Sequence, residues 1–137
     1  MMENEFIPYE EALALKELGF DEECLKSYHI VEKIRGQEYI ELKEVIYDNI
    51  IELCHAPLYQ QAFRWFREEH GIDALIEPRW KHPDADKKYC VEIIDPDDKS
   101  DFRTDDDIHH TDFETHEEAE FACLNKLIEI VNQTKDE

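Results

Sequence analysis

Residues 56–71, Ala56-Pro57-Leu58-Tyr59-Gln60-Gln61-Ala62-Phe63-Arg64-Trp65-Phe66-Arg67-Glu68-Glu69-His70-Gly71, constrain the fold more than any other stretch. Here start signal, periodicity and stop signal agree. Pro57 suits the first helical position, where its missing N–H would be unpaired anyway. Gly71 suits the end, because glycine accepts the left-handed conformation of a C-terminal cap. A step of about 100° per residue gathers Leu58, Tyr59, Ala62, Phe63, Trp65 and Phe66 in one arc. Gln60, Gln61, Arg64, Arg67 and Glu68 take the opposite face. The spacing predicts an amphipathic helix with an aromatic buried side. The aromatics also suit a stacking platform for a base or a partner groove, but the clean segregation of polar residues favours a core plug. Arg64 and Arg67 share a face three residues apart, as a phosphate patch or, more simply, a solvated surface.

Such a plug needs a domain around it, and 137 residues supply one domain with one core, residues 1–137. Fifteen lysines and arginines against 36 aspartates and glutamates give a net charge of −21. That charge disfavours direct binding to a nucleic-acid backbone. It suits a basic protein partner, a divalent cation or mimicry of nucleic acid, beside the simpler reading of a well-solvated surface. Only three glycines occur, and no G-x-G-x-x-G or Walker-type loop. Cys24, Cys54, Cys90 and Cys123 are dispersed, without the C-x-x-C of a zinc ribbon or thioredoxin-like site. Their apolar neighbours suggest small buried hydrophobes. The acidic N-terminus lacks an apolar leader, and no run of 18 apolar residues suggests a membrane span. The expectation is a cytoplasmic chain with reduced thiols, no cofactor and no membrane association. Oligomeric state is left open.

Before the aromatic helix, Pro8 opens a first helix over about residues 9–18. Gly19 ends it, and Phe20 follows where it can pack back on Leu15. Tyr28, Ile30, Val31 and Ile34 then precede a turn at Arg35-Gly36-Gln37. Tyr39, Ile40, Leu42, Val45, Ile46 and Tyr47 precede another at Asp48-Asn49. Ile50, Ile51 and Leu53 follow. β-branched content favours strands here, although Glu41-Leu42-Lys43-Glu44 also suits a helix. After Gly71, residues 72–77 alternate as a strand that Pro78 ends. Residues 81–88 read as a hairpin loop and residues 89–94 as its second strand. An acidic loop follows over about residues 95–112. Thr115-His116-Glu117-Glu118 forms a capping box for a last helix that runs to about Val131. Strands joined by short turns favour antiparallel pairing. The fold class is α+β: a small, mostly antiparallel sheet with about three helices packed on one face.

The acidic loop is the best place to look for chemistry. Asp95, Asp97, Asp98, Asp101, Asp105, Asp106, Asp107 and Asp112 crowd it, with His109, His110 and His116 close in sequence. Clustered carboxylates suit calcium or magnesium, and added imidazoles suit a transition metal. The metal candidates are Asp95, Asp97, Asp98, His109 and His110. An EF-hand does not fit, since Lys99 stands at a ligand position and Ser100 where the turn glycine belongs. No H-E-x-x-H or G-x-S-x-G is present, and no residue is singled out as catalytic. His55 stands beside Cys54, and His70 stands at a helix C-terminus, where the helix dipole favours an imidazolium.

Three blocks carry a resemblance. They are Phe6-Ile7-Pro8-Tyr9-Glu10-Glu11-Ala12-Leu13-Ala14-Leu15-Lys16-Glu17-Leu18-Gly19-Phe20-Asp21, residues 56–67, and Glu117-Glu118-Ala119-Glu120-Phe121-Ala122-Cys123-Leu124-Asn125-Lys126-Leu127-Ile128-Glu129-Ile130-Val131. With them the chain resembles a family of short uncharacterised proteins from phages, prophages and mobile elements of Bacteroidetes-type bacteria. The resemblance implies an accessory protein of a bacterial cytoplasm that binds a host protein, and it transfers no catalytic residue. Residues 28–53 and 95–112 lie outside the matching blocks. Three functions are compatible with these observations: a non-enzymatic protein-binding module, a nucleic-acid-mimicking inhibitor of a host defence or DNA-processing protein, and a metal-dependent enzyme using the Asp/His loop.

Overall fold

The structure, a computed structural model, describes residues 5–44, 51–78, 89–94, 102–103 and 113–135. Its elements run α1 (Tyr9–Glu17), β1 (Lys26–Ile34), β2 (Gln37–Glu44), β3 (Ile51–Ala56), α2 (Tyr59–His70), β4 (Asp73–Pro78), β5 (Tyr89–Ile94), β6 (Phe102–Arg103) and α3 (His116–Lys135). The α+β class, the antiparallel pairing and the three helices agree with the sequence reading. In place of one sheet, the strands are shared between two three-stranded sheets, β2-β1-β3 and β4-β5-β6. The chain divides into two compact units, Met1–Gln61 and Ala62–Glu137, and the division falls inside α2.

In the first unit, α1 ends as its sequence requires. The Gly19 and Phe20 N–H groups donate to the carbonyls of Lys16 and Leu15 at 3.0 Å each. Gly19 has φ +106°, the left-handed turn of a Schellman cap. Leu15 and Phe20 are both buried. β1 and β2 form a hairpin with Ile34 opposite Gln37. Its two turn residues, Arg35 and Gly36, have φ of 52° and 81°. Both values positive is the signature of a type I′ turn, whose twist matches that of the strands. The stretch Glu41-Leu42-Lys43-Glu44, with its alternative helical reading, is strand. The turn expected at Asp48-Asn49 lies outside the described residues.

The turn yields a direct prediction. A Cβ at Gly36 would meet nothing within 4 Å, so the cost of a side chain there is conformational alone. Gly36→Ala is expected to destabilise by about 1 kcal/mol. Arg35→Asn, which accepts positive φ more readily, is expected to stabilise by a few tenths of a kcal/mol, about 0.3–0.5. Urea unfolding midpoints of the two variants should therefore move in opposite directions.

α2 begins at Tyr59, two residues later than the Pro57 start that the sequence suggests. Pairing competes with the helix for those residues. The Ile7 N–H donates to the Pro57 carbonyl at 2.9 Å, and Leu58 bridges Phe6 in antiparallel fashion. The helix then behaves as its periodicity demands. Tyr59, Ala62, Phe63, Trp65 and Phe66 are buried, while Gln60, Arg64, Arg67 and Glu68 are exposed. The aromatic side is core. The Gly71 N–H donates to the Arg67 carbonyl at 3.1 Å, with Gly71 at φ +67°.

In the second unit, β4 and β5 pair antiparallel from Asp73–Ile94 to Pro78–Tyr89. The hairpin loop expected at 81–88 lies outside the described residues. The acidic loop is not wholly irregular: Phe102–Arg103 pairs with Ile93 and Glu92 as β6. Backbone pairing needs only N–H and C=O groups, so an acidic composition does not prevent it. Tyr89 and Phe113 exchange backbone hydrogen bonds of 2.9 and 2.8 Å. α3 packs on β4 and β5. Its start is the expected cap, with the Glu118 N–H donating to Thr115 Oγ1 at 3.1 Å. It reaches Lys135 rather than Val131, because no glycine or proline follows Val131 to stop it. Leu124, Leu127, Ala119 and Cys123 are fully buried along it.

Candidate functional site

The alternation of β1 decides what each face of the first sheet carries. Lys26, Tyr28 and Ile30 point to one face, Ser27 and His29 to the other. Register then assigns their neighbours. Tyr28 lies opposite Leu42 on β2 and Cys54 on β3, and Ile30 lies opposite Ile40 and Ile51. This apolar face meets α1. The Tyr28 hydroxyl donates to the Ile7 carbonyl at 2.7 Å, and the rings of Tyr9 and Tyr28 meet edge-on at 5.5 Å. The Lys26 ammonium sits 5.2 Å from the centre of the Phe6 ring, within range of a cation–π attraction. Burial, with the nearby Cys54 and Glu11, pushes the Tyr28 hydroxyl up to about 12.

The opposite face is polar, in two cross-strand rows. Lys43, Ser27 and His55 make one, and Glu41, His29 and Glu52 the other. The second row exists because of a bulge. In a regular strand, Glu52 and His55 are three residues apart and would point to opposite faces. Leu53 is an extra residue in the pairing with β1, between Tyr28–Cys54 and His29–Glu52. It turns Glu52 onto the face of His55. The freed Leu53 carbonyl accepts a hydrogen bond of 2.7 Å from Lys16 Nζ.

Two contacts on this face have the form of catalytic pairs. Ser27 Oγ and His29 Nε2 are 2.7 Å apart, and His55 Nε2 lies 2.9 Å from Glu52 Oε1. They do not assemble into one relay. The histidine that meets the serine has no carboxylate partner, since His29 Nδ1 is buried without a hydrogen bond. His55 holds the carboxylate, and its own Nδ1 is likewise buried and unpaired. Ser27 and His29 are fully buried, so no substrate reaches the hydroxyl. A proton on Nε2 of each ring leaves only an acceptor lone pair unmatched, the less costly arrangement, because a bare N–H donor is the rarer orphan.

This geometry separates a structural role from a chemical one. Ser27→Ala is expected to destabilise by about 1–3 kcal/mol, because His29 then has both ring nitrogens unpaired. Replacing both partners, with Ser27→Ala and His29→Leu, should recover most of that loss. Thermal unfolding of the single and double variants measures it.

Three of the four thiols are equally withdrawn, and Cys24 is half-buried. Cys54, Cys90 and Cys123 are buried, and all four cysteines are free. Burial, with Glu120 nearby, pushes the Cys123 thiol up to about 12. Burial raises Cys54 to about 11 against the opposing pull of Lys16. Burial and Glu22 raise Cys24 to about 12, although Gln61 opposes them. Gln61 acts as a clamp on the loop between α1 and β1. Its amide donates to Glu22 Oε1 at 3.2 Å and to the Glu23 carbonyl at 3.0 Å.

Of the metal candidates, Asp95, Asp97, Asp98, His109 and His110 all lie outside the described residues. Among the described residues, no group of three or more His, Cys, Asp or Glu side chains could hold a metal ion. His116, beyond that loop, engages its own helix. Its Nδ1 lies 3.3 Å from Glu120 Oε1, and its ring meets Tyr89 edge-on at 5.5 Å. His70 meets Trp65 edge-on, with ring centres 4.9 Å apart. Arg64 and Arg67 are exposed, as expected of a solvated face.

Sequence patterns alone did not single out Ser27 and His29. Their signal lies in the alternation Ser27-Tyr28-His29-Ile30, which puts two polar side chains on one face of a strand. Among the described residues, no helix is long and apolar enough to cross a membrane. Comparison of the chain with models of known protein families, with curated proteins and with solved structures finds no match in any of the three.

Proposed function

We propose that the chain is a non-enzymatic protein-binding module, of the kind that serves a phage or mobile element as an accessory protein in a bacterial cytoplasm. One observation carries the reading. The β1–β2 hairpin beyond Val31 is exposed on both faces, yet it holds Ile34, Tyr39 and Ile40, which are 44%, 43% and 37% exposed. A two-stranded arm of this kind has little to bury by itself. Apolar groups concentrated on such an arm favour a partner that covers them. The net charge of −21 favours a basic partner.

The test pairs binding with catalysis. Co-purification from a bacterial host, followed by reconstitution from purified components, is expected to yield one defined complex. The double substitution Ile34→Glu and Tyr39→Glu should weaken that complex at least about tenfold, or 1.4 kcal/mol, with the thermal midpoint unchanged. A hydrolase and nuclease screen should give no turnover. Turnover that a single histidine or aspartate substitution abolishes would overturn the reading.

A further inference from the structure

We draw no further inference here: the strongest candidate, the edge of the first sheet along β2, where no further strand pairs among the described residues and residues 37–41 are exposed in succession, carries nothing, because Glu38 and Glu41 pair with Lys33 and Lys43 inside the β1–β2 hairpin itself and nothing in the structure shows what covers that edge.

Discussion

Replacing Phe66 with alanine is expected to cost about 3–5 kcal/mol, the range for a large aromatic removed from a packed core. Phe66 is fully buried, and so is Ala62 one turn earlier; Trp65, at 5% exposed, meets the Phe66 ring edge-on at 5.1 Å. Truncation therefore removes both the transfer free energy of the ring and its contacts, and the rigid helix around it cannot close the cavity. Small domains have about 5–15 kcal/mol in total, so the variant should lose much of its stability. The neighbouring Arg67→Ala, on the exposed side of the same helix, should change it by less than about 0.5 kcal/mol. Thermal unfolding followed by near-ultraviolet dichroism, where the aromatic core reports, distinguishes the two. Equal shifts for both would show that the aromatic side of α2 is not the core.

The same helix shows what a sequence makes legible. Its buried side, its exposed side and its glycine stop are local: each follows from spacing along one chain segment. So do the Gly19 cap, the Arg35–Gly36 turn and the Thr115 cap, where a few consecutive residues satisfy their own hydrogen bonds. Legibility ends where a distant partner decides. Pro57 and Leu58 are good helix openers by local rules, but Ile7 and Phe6, some fifty residues away in sequence, draw them into pairing. The division of the strands into two sheets is likewise a matter of which strand finds which, and local alternation is silent on it. β6 is two residues long, too short for any periodicity.

The polar face of the first sheet divides in the same way. Ser27 and His29 alternate visibly with Tyr28 and Ile30. Their burial and their mutual contact at 2.7 Å depend on neighbours that alternation does not name. Glu52 and His55 are harder still. Regular strand spacing places them on opposite faces, and only the extra residue Leu53 unites them. No glycine marks that bulge, and its support comes from Lys16 on a different element. That β2 lies at an edge of its sheet follows from pairing as well, because a strand becomes an edge only when the rest of its sheet is known.

Alkaline pH should unfold the protein cooperatively, and the buried and half-buried thiols set the window. In the folded chain Cys24 and Cys123 stand at about 12 and Cys54 at about 11, against an ordinary value of 9.0. A thiol whose folded value is raised keeps its proton longer in the folded chain than in the unfolded one. Below pH 9 both states hold the proton, and the contribution to stability is constant. Above pH 9 the unfolded chain releases it and gains, so stability falls until the folded value is passed. A tenfold difference in proton affinity between the two states corresponds to about 1.4 kcal/mol. Cys123 alone should therefore cost about 2 kcal/mol by pH 10.5, and Cys54, Cys24 and Tyr28 act in the same direction. Urea midpoints should be flat from pH 6 to 8 and decline from about pH 9. Cys123→Ala sharpens the test. At pH 7 it should be about 1 kcal/mol less stable than the parent, through lost packing. At pH 10.5 that order should reverse, because the variant has no thiol to ionise on unfolding. Parallel pH curves for parent and variant would show that Cys123 is not held in its protonated form by burial.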